Sequence, residues 1–499
     1  MMLPSMSWYK IAVVVLFVLF AVANGAYLRS VPGLLGDEGS EGENVFRLLD
    51  SGEIAVMGER SYIGPMIDYA RIPFVKVLGY SVLAMRMPMY IASLLTFGLA
   101  AVVLKRLFGK WESLFALTVV FFSPVYLLYQ RLGWTITLFP FFAFLILFLL
   151  TLKRRNMLYR YLPLLAGLTA GVGLSNHIVF LSTLIALTIS TAIGVLLSIV
   201  LGLTKEGQSE DDEDSLFVKL KGIARWWTAI VGFWAGFGMQ FAVLGMFKED
   251  QGDPEAVASL LSERLAELPK LIPMVVSGSA FSARYVGEGF SWLVQWGITL
   301  AVIILVMVAI VLAKKKLKVW LWTGGLAVQV LAVIYMTEQF SLRYFVVSVL
   351  GLLALAGVGI STSLSRWIGD RKIWKAGLPI VLAVLLMSWT SVMTLIPFLK
   401  TGGSVNEFEL VNLTENAYSL VDHRPLVECL RGAGNISSES PHIYNRLQYL
   451  SHSDSELSVV SENNIEDANW LVHYKTPEHV ERFESGRCPE LKHFIVQHR

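Results

Sequence analysis

The sequence predicts an all-α polytopic membrane protein of about eleven transmembrane helices with a small α/β domain toward its C-terminal end. Three observations predict it. The 499-residue chain is 55% hydrophobic and only 16% charged, more apolar surface than a soluble protein of this length can cover. The charges are clumped, and the runs between them reach the roughly 20 residues a helix needs to cross the hydrocarbon core. From residue 400 onward the texture changes to polar sequence in which short helical and strand patterns alternate. The net charge is +2 and no basic patch with interleaved aromatics appears, so no nucleic-acid partner is expected.

The spans fall near 9–28, 86–104, 113–130, 133–152, 160–175, 178–203, 226–247, 290–313, 319–337, 344–364 and 376–398. Charge orients them. Alternate connections carry Lys105, Arg106 and Lys110; Lys153, Arg154, Arg155 and Arg160; Lys205, Lys219, Lys221 and Arg225; Lys314, Lys315, Lys316 and Lys318; and Arg366, Arg371, Lys372 and Lys375. The connections between them hold little more than Arg131, Asn176-His177 and Arg343. By the positive-inside rule the N-terminus is cytoplasmic, and the C-terminal domain is extracytoplasmic in a plasma (inner) membrane. "AVANGA", Ala21 to Ala26, has the look of a signal-peptidase site, but only Lys10 supplies the preceding positive region.

Three pieces are expected outside. The loop 29–85 contains "NVFRLLDSG", a short amphipathic helix ended by Gly52, and "IPFVKVLG", a second helix at the interface. The loop 248–288 contains "DPEAVASLLSERLAEL", with an acidic start, Pro254 in the first turn and apolar residues at helical spacing. The tail 400–499 reads as helices at "RPLVECLRGAG" and "PHIYNRLQYL" and strands at "LSVVS", "NWLVHY" and "HFIVQH". It holds both cysteines, Cys429 and Cys488, either as a disulfide or as two buried thiols. Asn412 and Asn435 head N-glycosylation acceptor patterns. "GLTAG" (Gly167 to Gly171) and "GFWAG" (Gly232 to Gly236) match the GxxxG pattern of closely packed helices.

No span carries an acid or base near its middle, which counts against an ion-coupled transporter. The polar groups gather at outward helix ends instead: Asp37-Glu38, Arg131, Asn176-His177, Glu338 and Arg343-Tyr344. Acids facing cations across one cavity suit a reaction in which a hydroxyl loses a proton while an anionic group leaves.

The linear pattern resembles the polyprenol-phosphate-sugar glycosyltransferases of the GT-C superfamily, in the protein mannosyltransferase and aminoarabinose transferase group. The stretches that carry the resemblance are "GDEGSEGENVFRLLDSGE", "SYIGPMIDYARIPFVKVLG", "AMRMPMYIASLLTFGLAAVVLKRLFG", "SPVYLLYQR" and "RYFVVSVLGLLALAG", in that order. The tail lies outside the resemblance. It implies a GT-C-like domain over 1–399 and an inverting transfer of sugar from a polyprenyl phosphate to an acceptor hydroxyl on protein, lipid or glycan. Asp37 matches the general base, and Glu38 would orient it, bind the acceptor or help hold a divalent metal. Arg343, with His177 and Arg131, would receive the donor phosphate, and Tyr344, Asn176 and Glu338 would bind substrate. No cofactor is otherwise implied. The chain departs from the group at "RLGWTITLF", where many members place an Asp, and at "SNHIVF", where many carry Thr-Lys-Gly-Pro. A second hypothesis is a non-catalytic protein that binds or transports lipid-linked glycans.

Overall fold

A computed structural model describes residues 7–52, 54, 58, 63–152, 157–200, 227–244, 265–266, 268–286, 289–313, 315–336, 342–368, 371–403, 421–475 and 486–498. The chain is a bundle of apolar helices with a mixed α/β unit on one end. Every predicted span contains helix: α1 (Trp8–Gly25), α4 (Val82–Leu107), α5 (Lys110–Phe121) with α6 (Pro124–Tyr129), α7 (Phe139–Leu150), α8 (Leu162–Asn176), α9 (Phe180–Val200), α10 (Trp227–Leu244), α12 (Trp292–Leu312), α13 (Lys316–Met336), α14 (Val346–Ile368) and α15 (Lys372–Thr390). Among the described residues, 7 helices are long and apolar enough to cross a membrane.

The third and fourth spans are not continuous, contrary to expectation. Ser123-Pro124 breaks the third: proline lacks the N–H that would continue α5, and the Ser123 hydroxyl accepts from the Tyr126 N–H at 3.3 Å to start α6 afresh. The fourth opens with a 3₁₀ turn, Thr135–Leu138, before α7. The interrupted backbone between α6 and α7 is where the candidate site forms.

The two GxxxG segments pack against each other. A methyl group on Gly167 would strike the Ala229 carbonyl, and one on Gly171 that of Phe233. From the other side, one on Gly232 would strike the Leu164 carbonyl. Glycine lets the α8 and α10 backbones touch.

Outside the bundle, α2 (Gly36–Ser51) and α3 (Met66–Leu78) occupy the first loop. Helix α2 begins at Gly36, well before the predicted "NVFRLLDSG", and ends at Gly52 with φ 68°. The amphipathic helix expected at 253–268 falls mostly outside the described residues.

In the tail, α17 (Arg424–Leu430) and α18 (Pro441–Ser451) accompany strands β1 (Asn435–Ser437), β2 (Ser458–Val459), β3 (Trp470–Tyr474) and β4 (Phe494–His498). The sheet order is β2-β1-β3-β4. Strand β1 is parallel to both neighbours, and β3 and β4 are antiparallel with Val472 opposite Val496. Leu426, Leu430, Ile436, Ile443, Leu447, Val472 and Val496 form its core. Cys429 and Cys488 are joined as a disulfide. Asn435 heads β1, where its Nδ2 donates to the Asp467 carbonyl at 3.1 Å and its Oδ1 accepts from Ser458. Asn412 lies outside the described residues.

Candidate functional site

The stretch GDEGSEGE forms the first turns of α2, and its residue types divide by face. Gly36, Gly39 and Gly42 recur at helical spacing and lie against α18: a Cβ on them would meet His442, Asn445 and Tyr449 at 2.5 Å, 2.6 Å and closer still. The carboxylates of Asp37, Glu38 and Glu41 point elsewhere.

Asp37 faces Arg343. Its Oδ2 stands 3.5 Å from Arg343 Nη1, and both side chains keep a little solvent access. Arg343 sits on the 3₁₀ turn Leu342–Phe345 that leads into α14. Its guanidinium carbon lies 5.2 Å from the centre of the Trp134 ring and 5.5 Å from that of Tyr344. Tyr344 in turn meets the His177 imidazole, with ring centres 5.6 Å apart. Asn176 is fully buried and donates to the Thr135 carbonyl at 2.9 Å. Asp37, Arg343, Tyr344, His177 and Asn176 therefore fall in one neighbourhood, around the break between α6 and α7. Glu338 lies outside the described residues.

Of the three roles implied for Glu38, its contacts fit the one that positions Asp37. Glu38 is fully buried, and both oxygens are occupied: Arg86 grips it through two contacts of 2.8 and 2.7 Å. The Leu35 N–H donates to it at 2.8 Å, half of a capping box at the start of α2, and the Gly133 N–H at 2.5 Å. Burial pushes its pKa up, but the Arg86 charge and these bonds outweigh that and hold the carboxyl below its ordinary range. It is an ionised strut, with no oxygen left for a metal or an acceptor. Among the described residues no three His, Cys, Asp or Glu side chains gather as a metal ion would need.

Arg131 is placed otherwise than expected. Nearly inaccessible, it donates to the carbonyls of Val31 at 3.1 Å and Ala23 at 3.0 Å, and to that of Ala26. It caps the C-terminal end of α1, where carbonyls lack intrahelical partners and a cation is favoured. Its donors are engaged there rather than offered to a phosphate.

Three arginines to which the sequence reading assigned no site role are also placed here. Arg86 holds Glu38. Arg71 is fully buried, paired with Glu41 at 2.5 Å and Asp68 at 3.3 Å, and donates to the Gly133 carbonyl. Arg284, on α11 (Ser279–Val286), lies 5.0 Å from the centre of the same Trp134 ring that Arg343 covers. Trp134 is only 2% exposed. Glu41 is buried too, whereas Glu43 pairs with His452, which caps the C-terminal end of α18, at 2.9 Å.

Solved structures share this architecture. A crystal structure of ArnT from Cupriavidus metallidurans bound to undecaprenyl phosphate matches with a TM-score of 0.52 at 12% identity, covering 99% of this chain and 98% of that one. The same ArnT in its apo state gives 0.53 at 12% identity, over 97% of each chain. The chain has the GT-C fold. The archaeal oligosaccharyltransferase AglB from Archaeoglobus fulgidus, solved with an inhibitory peptide and a dolichol-phosphate, shares it with a TM-score of 0.50 at 10% identity, over 94% of this chain and 69% of that one. Residues 63–200 match the family model of dolichyl-phosphate-mannose-protein mannosyltransferases. No curated protein matches by sequence. The chain is thus an integral membrane protein with an ArnT-like fold, similar over residues 63–200 to the mannosyltransferase family model.

Proposed function

We propose that this GT-C chain is an inverting glycosyltransferase that moves a sugar from a polyprenyl-phosphate donor to an acceptor hydroxyl on the extracytoplasmic face. The observation that carries the reading is the Asp37–Arg343 pair: a partly accessible carboxylate and a guanidinium 3.5 Å apart at the mouth of the bundle. An aliphatic hydroxyl is a poor nucleophile at neutral pH, so Asp37 accepts its proton as the oxygen attacks the anomeric carbon. The bond from that carbon to the phosphate oxygen breaks, and the lipid phosphate departs with the electron pair. Arg343, with Arg284 close by, stabilises the charge that grows on it. Attack opposite the leaving group inverts the configuration.

Two further features support the reading. An apolar cavity of about 820 Å³ runs between α7, α9, α13 and α14, from Val347, just beyond the Arg343 turn, to Lys318 near the far end of α13. That depth suits an isoprenoid chain. The site and the tail also lie at the end of the bundle whose connections lack the lysine and arginine clumps, the extracytoplasmic end by the positive-inside rule.

The test is to incubate purified protein with radiolabelled polyprenyl-phosphate sugars and follow transfer or hydrolysis. Asp37→Asn is expected to lose at least a hundredfold in turnover, and Arg343→Ala to lose both turnover and donor affinity. Unchanged turnover in Asp37→Asn would sink the assignment of the base. Tight lipid binding without turnover of any donor would make the chain a binding protein instead.

A further inference from the structure

We propose that Trp134 is a donor-binding residue whose indole N–H hydrogen-bonds a phosphoryl oxygen of the lipid donor, between the guanidinium groups of Arg284 and Arg343. The inference rests on the glycosyltransferase reading and adds to it a contact whose residue type gives no hint of phosphate chemistry.

The ring is 2% exposed. Its Nε1 is a buried donor without a hydrogen-bond partner. Such a group carries a desolvation penalty, and a native fold that keeps one calls for a reason. Cations explain what surrounds it. The Arg284 and Arg343 guanidinium carbons stand 5.0 and 5.2 Å from the ring centre, so the π-face is engaged by positive charge and does not serve as a sugar platform. The edge N–H remains, and a donor on a ring that two guanidinium groups approach matches an anion rich in acceptor oxygens. Arg343 already stands 3.5 Å from the proposed base, which places such an anion where the leaving phosphate belongs.

The backbone around Trp134 is fixed from several sides. The Gly133 N–H donates to Glu38 and its carbonyl accepts from Arg71. The Trp134 carbonyl accepts from the Thr137 N–H at 3.0 Å and from its hydroxyl at 2.6 Å. Arg131 ties the preceding turn to α1. A rigid loop presents the indole without having to be ordered by the ligand.

The experiment titrates the full chain in detergent with polyprenyl phosphate and, separately, with polyprenol, the same chain without the phosphate. Wild type is expected to prefer the phosphate. Trp134→Phe keeps a six-membered aromatic ring for the arginines and removes the N–H together with the rest of the pyrrole ring. It is expected to lose roughly tenfold or more of that preference, the scale of one hydrogen bond to a charged group, with polyprenol affinity unchanged. Trp134→His, which restores a ring N–H, should recover part of it. Arg284→Gln reads the same cradle through a half-buried side chain and should also lower the preference. If wild type prefers phosphate and Trp134→Phe prefers it equally, the inference is overturned, whatever Arg284→Gln does, while the glycosyltransferase reading stands. If wild type shows no preference at all, the reading beneath it falls.

Discussion

Successive residues of an α-helix point about 100° apart, so α2 sends Asp37 toward Arg343 and Glu38 toward Arg86. The Glu38–Arg86 pair is wholly buried, whereas the side chains of Asp37 and Arg343 are 12% and 10% exposed. Glu38→Gln therefore leaves Arg86 buried against a neutral amide, and breaking such a pair costs about 3–5 kcal/mol. We expect a large fall in melting temperature for Glu38→Gln and little change for Asp37→Asn, which loses transfer instead. Thermal melts of the two variants side by side check this, and equal melts would mean that the two carboxylates share one role. His423 supplies a pH dependence. Its Nδ1 accepts from the Leu34 N–H at 3.2 Å, tying the tail to the entry of α2. Burial, helped by the Arg446 charge, pushes its pKa down from 6.5 to about 4. The folded state thus holds the ring neutral, while the unfolded chain takes a proton near pH 6.5. The stabilisation is complete above that pH and is lost as pH falls toward 4, by about 3 kcal/mol in all. His423→Asn should flatten this part of the melting-temperature profile between pH 7 and pH 4.5.

Helix α2 shows what the sequence could and could not tell. Three glycines within its first seven residues argue for a loop, since each costs about 1 kcal/mol in a helix interior. What overrides propensity is α18, whose backbone and Tyr449 ring fill the space that side chains would need. That partner lies some 400 residues away, and no local pattern reports it. The buried pairs were hidden for the same reason: Glu41 and Arg71 are 30 positions apart, and Glu38 and Arg86 are 48 apart. Strand β1 was missed because Asn-Ile-Ser is too short to show alternation, and its parallel neighbours come later in the chain. By contrast, the apolar runs and the longer tail strands are properties of composition over a few residues, and helices and strands lie where they were expected. The α8–α10 contact was legible too, because GxxxG carries its reason within four residues. It gives a direct prediction. Gly171→Leu would drive a side chain into the Phe233 carbonyl, forcing the helices apart at about 1–3 kcal/mol. Lower detergent-solubilised yield and melting temperature are expected, with Gly98→Leu, which faces open space, as the control.

The tail is joined to the candidate site through structure rather than through chemistry of its own. Helix α18 covers the glycine face of α2. The His452 ring stacks on Phe46 at 3.6 Å between centres, and Tyr449 donates to the Ser81 carbonyl at the start of α4. The helix that carries Asp37 is therefore held from behind by the tail and from below by Arg86 and Arg71. The stability of the tail should then control the activity of the bundle. Its own core is small, and the Cys429–Cys488 disulfide spans 59 positions of it. Closing a loop of that size is worth about 4 kcal/mol in the chain-entropy model, a large share of what a small domain has. The double substitution Cys429→Ala with Cys488→Ala should lower the tail's transition, followed by limited proteolysis of the tail, while the helical signal of the bundle persists. Transfer should fall over the same temperature range in which the tail becomes cleavable, because α2 loses the partner that fixes its glycine face. Transfer that persists after the tail is cleaved would show that Arg86 and Arg71 alone suffice to hold Asp37 against Arg343.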